Sequence, residues 1–458
     1  MKGAARRVPG DGTTPAAPPS KGASRFVKDA VRVFGGQLAM TGIGMVTGII
    51  TARWLGPHDR GLFQLLTLLP MTLSNFVKLG IPQASVYFMR RKGASASAVA
   101  SNSLWFAFTT GTALAVVCWL WRDWLLAKVL QSCPEVLLAP TLALIPFALL
   151  QFYLLGVAQA QERFHEYNVR QIVPNLLSLV GMFVVLVVLR MGLVGAVLTQ
   201  AAIVVFMSIW LTVRVHREAP LHASVDRELL RGMLGFGSKS YVQTLAATLH
   251  LRIDQYLIAY LLKSPGEVAF YAIGVNLVSL LLKIPDATGT VLFPRLAGSE
   301  QRDAHAATVR VCRNTLFLTA LGIVALAVAG PLGIPLLYGH RFDRAIRPML
   351  ILLPGALMMA LYQILTRSFT SHAKQEINIF AAVVALCLNV GLNLVLIPRF
   401  GIEGAAIANG LSYGTAAMIL LVVFVRQSGH SVRETLVVGE SDLSDLARAA
   451  RRVSGLAR

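Results

Sequence analysis

Acidic residues are scarce in this chain. Asp and Glu number 22 in 458 residues, and all four charged types together reach only 14%. A water-soluble protein carries charge at about a quarter of its positions, so a soluble globular fold is excluded. Cysteine is equally thin. The four present, Cys118, Cys133, Cys312 and Cys387, are dispersed, form no CxxC pair and have no histidine at metal-ligand spacing. That pattern argues against a disulfide framework and against a metal site. No cofactor is expected. The longest polar connections, about residues 214–233 and 291–307, are too short for a catalytic domain. They contain no Ser/His/Asp set, metal cluster or phosphate-cradling glycine loop, so the chain is not expected to be an enzyme.

What the chain has is apolar sequence in long unbroken runs, with 55% hydrophobic residues. A helix crossing the hydrocarbon core of a bilayer needs about 20 mostly apolar residues. The runs predict about twelve such spans, near residues 30–54, 61–81, 97–121, 136–160, 168–189, 193–213, 234–261, 267–290, 308–330, 347–368, 376–397 and 402–425. The runs at 176–189 and 193–213 are separated only by Arg190, Met191 and Gly192, which predicts a tight turn between two spans. Barrel strands would alternate apolar and polar residues over about ten positions, and these runs do not. The expected fold class is an all-α integral membrane protein. Pro70, Pro146, Pro174, Pro285 and Pro354 fall in or beside the runs, where proline kinks a membrane helix and neighbouring groups satisfy the freed carbonyl.

The net charge of +20 comes from 42 Lys and Arg. They sit in the tails and in short loops such as Arg90-Arg91-Lys92, not in one folded basic domain, so anionic lipid headgroups account for them and no nucleic acid partner is expected. Their distribution favours both termini on the cytoplasmic side of a cytoplasmic (inner) membrane. Residues 1–27 are rich in Pro, Gly, Ala, Ser and Thr and predict a disordered cytoplasmic tail. Arg6-Arg7 lacks the short apolar segment and cleavage site of a twin-arginine signal, so the first span is expected to stay as an anchor. The expected organisation is a tail at 1–27, a six-helix lobe at 28–213, a cytoplasmic linker at 214–233, a second six-helix lobe at 234–425 and a cytoplasmic tail at 426–458. In that last tail Leu443, Leu446, Ala450 and Val453 recur at helical spacing beside Arg448, Arg451 and Arg452. An amphipathic helix on the inner leaflet and a plain solvated tail both fit.

The two lobes carry an internal echo. Phe34-Gly35-Gly36 leading to Lys78-Leu79-Gly80-Ile81-Pro82 is matched by Phe236-Gly237-Ser238 leading to Lys283-Ile284-Pro285. With an even number of spans per half, both halves enter the membrane in the same direction. Two parallel lobes related by a pseudo-twofold axis along the membrane normal, with the path between them, follow from this.

The string Ala52-Arg53-Trp54-Leu55-Gly56-Pro57-His58-Asp59-Arg60-Gly61-Leu62-Phe63 resembles the first helix-to-helix connection of polysaccharide transporters in the multidrug/oligosaccharidyl-lipid/polysaccharide (MOP) exporter superfamily. Arg252-Ile253-Asp254-Gln255-Tyr256-Leu257-Ile258, Glu267-Val268-Ala269-Phe270-Tyr271 and Leu292-Phe293-Pro294-Arg295-Leu296 resemble the seventh and eighth helices of that family. Leu396-Ile397-Pro398-Arg399-Phe400-Gly401-Ile402-Glu403-Gly404-Ala405-Ala406 resembles its eleventh connection. The resemblance implies a MATE-like fold and an O-antigen or capsule type of flippase. Such a protein moves an undecaprenyl-diphosphate-linked oligosaccharide by alternating access, with coupling to a proton or sodium gradient. Its implied partners are the lipid-linked glycan, membrane lipids and glycan assembly enzymes, and the implied oligomeric state is a monomer. A multidrug or cation exporter of the same superfamily and a membrane-bound glycan polymerase or ligase are the competing readings.

Ionisable residues inside spans are expensive and mark cavities. Those expected at depth are Lys78, Lys239, His250, Arg252 and Lys283, as a cationic substrate-binding set, with Asp254 and Asp286 as gating or ion-coupling carboxylates. Basic excess suits a diphosphate, which needs positive charge and hydrogen-bond donors once partly dehydrated. Lys78 and Lys283 are expected to face each other across the cavity. Lys283 with Asp286, and His250 with Asp254, are expected to share helix faces. The bland alternatives are snorkelling for Lys78 and Lys239, a structural ion pair for Asp254 with Arg252, and a packing role for His250. Gly42, Gly44 and Gly48 predict close helix packing. Tyr241, Tyr271 and Tyr362 fit packing or interface anchoring better than sugar stacking.

Overall fold

The computed structural model describes residues 21–439 apart from 162–163, 223, 287, 289–300 and 373. Arg6-Arg7, most of the N-terminal tail, the 292–296 string and the spacing pattern from Leu443 onward lie outside the described residues. Among the described residues every regular element is helical. The helices are α1 (Lys21–Val77), α2 (Ile81–Arg91), α3 (Ala96–Leu120), α4 (Arg122–Lys128), α5 (Leu138–Ala160), α6 (Phe164–Met182), α7 (Gly192–Glu218), α8 (Arg227–His250), α9 (Ile253–Leu262), α10 (Pro265–Leu281), α11 (Gln301–Tyr338), α12 (Ile346–Ser371), α13 (Gln375–Ser428) and α14 (Val432–Leu436). The described residues of the twelve expected spans lie almost wholly on helix, except that 234–261 is broken at Leu251 and Arg252, and the end of 267–290 lies outside the described residues. Seven helices are long and apolar enough to cross a membrane, or up to eight when the bent pair formed by α1 and α2 counts as one span.

Two helices are double length, and their geometry explains why. A 54-residue helix such as α13 would be about 80 Å long at 1.5 Å per residue, far more than the roughly 30 Å hydrocarbon core. It folds back at Gly401, whose φ of 63° and ψ of −140° leave the helical region. The 57-residue α1 does the same at Gly56, with φ 72° and ψ 176°. Only glycine enters such conformations without strain, and both sit in the strings that suggested helix-to-helix connections. Between α6 and α7 a π-helical turn at Phe183–Val188 leads into Arg190 and Gly192, both at positive φ, which is the tight turn expected there.

The first half is built around α5, which packs on α2, α3 and α7 and has Leu149, Tyr153 and Leu154 fully buried. In the second half α12 packs on α11 and α13, and α13 covers α8 and α9. On α11, Leu321, Val324, Val328, Leu332 and Leu336 are each more than half exposed and lie along one side, a stripe suited to lipid.

The halves meet at both ends of the bundle. On the face away from the chain ends, α1 runs against α10, and Gly61 lies so close to the Pro265 carbonyl that a Cβ there would collide with it. Arg53 donates from Nε to the Leu337 carbonyl at 2.7 Å and from Nη2 to the Leu336 carbonyl at 2.5 Å. Those carbonyls belong to the last turn of α11, which has no helical partners of its own, so a guanidinium there completes their hydrogen bonding. On the face nearer the chain ends, Gly80 and Gly237 touch backbone to backbone, and the Tyr87 ring stacks on Phe236 with centroids 4.2 Å apart. Gly237→Val is expected to wedge this second contact open. Spin labels at exposed Lys92 and Arg231 should move apart by several ångströms, while an unchanged distance would mean that the backbones yield locally.

Candidate transport site

The polar residues at depth gather around one carboxylate. Asp254 is the second residue of α9, just beyond the break that separates α8 from α9 at Leu251 and Arg252, and it is 1% exposed. A charge buried in an apolar bundle requires several donors. Three arrive from other helices: Asn393 Nδ2 reaches Oδ1 at 2.8 Å, Asn409 Nδ2 reaches Oδ2 at 2.7 Å, and the Tyr271 hydroxyl donates to Oδ2 at 3.0 Å. The network extends through Asn389, whose Nδ2 donates to Asn409 Oδ1 and Ser412 Oγ at 3.3 Å each. Ser412 Oγ lies 2.9 Å from His250 Nε2, and the His250 ring lies 4.9 Å from that of Tyr413. At the other side Gln64 of α1 donates to Gln255 at 3.1 Å, linking the first half to the helix that carries Asp254. One acceptor is left over: Asn393 Oδ1 is buried and has no hydrogen-bond partner. Asn393 thus gives its Nδ2 to the carboxylate and leaves its oxygen as an open acceptor within the same network.

Several expectations need correction. His250 and Asp254 do not share one helix face, because the chain breaks between them; His250 ends α8, and Ser412, Asn409 and Asn389 join it to Asp254 instead. Asp286 does not pair with Lys283. Its Oδ1 lies 3.0 Å from Arg367 Nη2, and its carbonyl accepts from Arg367 Nη1 at 2.9 Å, tying the end of the α10 segment to α12. Asp254 is not ion-paired with Arg252, which is exposed at the helix break. Gly42, Gly44 and Gly48 do not mark close packing, since a Cβ on any of them would meet no atom within 4 Å. Of the other expected cations, Lys78 is 9% exposed, donates to Asn75 Oδ1 at 2.6 Å and sits 4.8 Å from the Phe152 ring centre. Lys283 is half-buried near the end of the α10 segment, and Lys239 lies on α8 with its side chain outside the described residues. Tyr271 serves the carboxylate, and Tyr241 is buried.

Sequence reasoning missed Asn389, Asn393, Asn409, Ser412, Arg60 and Arg367. A signal existed for the asparagines: Asn389 and Asn393 stand at i, i+4 inside an otherwise apolar run, a spacing that puts two amides on one face. Both residues are neutral, whereas formal charge is the property that stands out at membrane depth.

Residues 26–300 match the family model described as "Polysaccharide biosynthesis protein". A probable low-salt glycan biosynthesis flippase, Agl15 of Haloferax volcanii, is 21% identical over 193 residues, 41% of each chain, so the match spans under half of that relative's length. Among solved structures, the lipid II flippase MurJ in an inward closed conformation superposes with a TM-score of 0.73 at 13% identity, covering 86% of this chain and 90% of that one. An inward-facing multidrug resistance MATE family transporter of the MOP superfamily gives 0.69 at 16% identity, covering 85% and 94%. These likenesses establish a multi-pass membrane protein with the two-lobed fold of that superfamily, and since the family model covers more than half of the chain, the chain belongs to the polysaccharide biosynthesis protein family.

Proposed function

We propose that this protein is a flippase that moves a lipid-linked oligosaccharide, its sugars attached through a diphosphate to a prenyl chain, from the cytoplasmic to the outer leaflet by alternating access. The observation that carries this reading is the paired closure of the two halves. At one end the halves are held by Arg53 on two α11 carbonyls, and at the other by the Gly80–Gly237 contact and the Tyr87–Phe236 stack. Each closure is a small set of bonds that a rocking motion can break while the other holds, as a path open to one side at a time requires. Lys78 and Lys283, near the cytoplasmic end on this topology, supply positive charge for a diphosphate, while the prenyl chain stays in lipid.

The energy source in this proposal is a proton or sodium gradient acting at Asp254. The carboxylate and Asn393 Oδ1 would hold the ion, and the bond from Gln255 to Gln64 would report occupancy to the first half. The family match and the Haloferax relative support a glycan cargo, and the fold supports the mechanism.

Two measurements test the proposal. In cells lacking the protein, leaflet-resolved detection should find lipid-linked oligosaccharide accumulating on the cytoplasmic face, and its mass would identify the cargo; an unchanged distribution would reject the flippase reading. In proteoliposomes, Asp254→Asn is expected to insert and fold but to flip at a rate that no longer responds to an imposed proton or sodium gradient. A gradient response equal to that of the unaltered protein would remove Asp254 from the coupling step.

A further inference from the structure

Two arginines flank the Gly56 fold-back, and their surroundings differ. Arg53 is satisfied by two α11 carbonyls. Arg60 is 9% exposed and makes no hydrogen bond or ion pair among the described residues; the Phe63 ring lies 5.5 Å from the guanidinium carbon, and the Tyr338 phenol is close enough to interact with it electrostatically. An arginine this deeply buried normally has a carboxylate or several carbonyls beside it, because N–H donors taken largely out of water and left unmatched are costly.

Arg60 does face something. It lines a cavity of about 260 Å³ between the halves, walled by Thr41, Gly44 and Gly48 of α1, Asn276 and Ser279 of α10, and Tyr338 at the end of α11. The glycines create the space, since a Cβ on Gly44 or Gly48 would point into emptiness. The Asn276 side chain is exposed, and Ser279 Oγ donates to the Asn276 carbonyl at 2.7 Å. The cavity thus joins a guanidinium with amide and hydroxyl groups, has Met45, Ile273, Leu277 and Leu280 as its apolar wall, and is lined by no carboxylate. Such a set matches a phosphate-type oxyanion, which a guanidinium grips with two parallel N–H bonds while neutral donors take the remaining oxygens. At this volume, a little under the usual range of roughly 300 to 1,000 Å³ for small-molecule sites, it fits a phosphate or diphosphate and not a whole glycan.

We infer that Arg60 and this cavity form an oxyanion-binding station at the end of the path away from the chain termini, where the diphosphate of the cargo is held before release. The choice of diphosphate rests on the flippase reading; the oxyanion chemistry rests on the unmatched guanidinium. Lys78 lies at the other end of α1's second arm, so the two cations stand on opposite sides of the membrane path.

The test uses the full chain in nanodiscs, titrated with inorganic pyrophosphate and separately with farnesyl diphosphate, and reads the ligand-induced rise in unfolding temperature. Arg60→Gln should weaken binding by about tenfold or more, as loss of a charge-assisted bidentate contact does, while Arg60→Lys keeps part of it. Gly48→Leu, which leaves Arg60 in place and fills the cavity, should also abolish the response. Protection by both ligands assigns the site to the bare oxyanion, and protection by the farnesyl ester alone assigns it to a lipid-borne diphosphate. Undiminished protection of Arg60→Gln or of Gly48→Leu would overturn the inference. If Arg60→Gln loses binding while cells lacking the protein show normal leaflet distribution, the station stands and the flippase reading falls; unchanged binding alongside glycan accumulation means the reverse.

Discussion

Inside a bilayer no polar group can borrow a hydrogen bond from water, and this constraint organises the molecule. It makes every regular element among the described residues a helix, and it leaves backbone groups free where helices end or break. Arg53 takes the last carbonyls of α11. Arg367 takes the carbonyl and carboxylate of Asp286 where the α10 segment ends. Asp254 stands one residue beyond a helix break and draws donors from α10 and both arms of α13. The side chains that join distant helices are therefore the ones that complete an interrupted helix or a buried charge.

The same constraint gives meaning to the groups it leaves unmatched. Asn393 Oδ1, in the network around Asp254, is a buried acceptor with no partner, and the guanidinium of Arg60 faces a cavity and makes no hydrogen bond among the described residues. One is an acceptor beside a carboxylate, suited to a cation; the other is a donor beside hydroxyls and an amide, suited to an anion. They lie in different halves, and Gln64 with Gln255 bridges the gap between the arm that carries Arg60 and the helix that carries Asp254. The proposed coupling of an ion to an anionic cargo requires such separate sites with a physical link between them.

Much of the fold was legible because lipid imposes a simple rule on composition. Continuous apolar runs of span length located the long helices but not the short ones at Ile81–Arg91, Arg122–Lys128 and Val432–Leu436, and Gly56, Arg190 to Gly192 and Gly401 stood where the chain reverses. The site was legible only in part. Asp254 and His250 were found as ionisable groups in apolar runs, yet their partners Asn389, Asn393, Asn409 and Ser412 are neutral and lie up to 162 residues away. Periodicity treated residues 234–261 as one continuous helix and so put His250 and Asp254 on one face; the break at Leu251 and Arg252 is a local departure that hydropathy does not register. Arg60 was hidden for the opposite reason. It sits in a string that looks like a loop, and only the fold-back at Gly56 draws it into the bundle.

The sequence by itself determined the solvent, the helical class and the positions of the turns, because each depends on residues near one another in the chain. Tertiary structure alone decided which charges are matched. Whether Asp286 meets Lys283 or Arg367, and whether a glycine packs a helix or opens a cavity, depends on which distant helix lies opposite, and packing of whole helices decides that after local preferences are already satisfied.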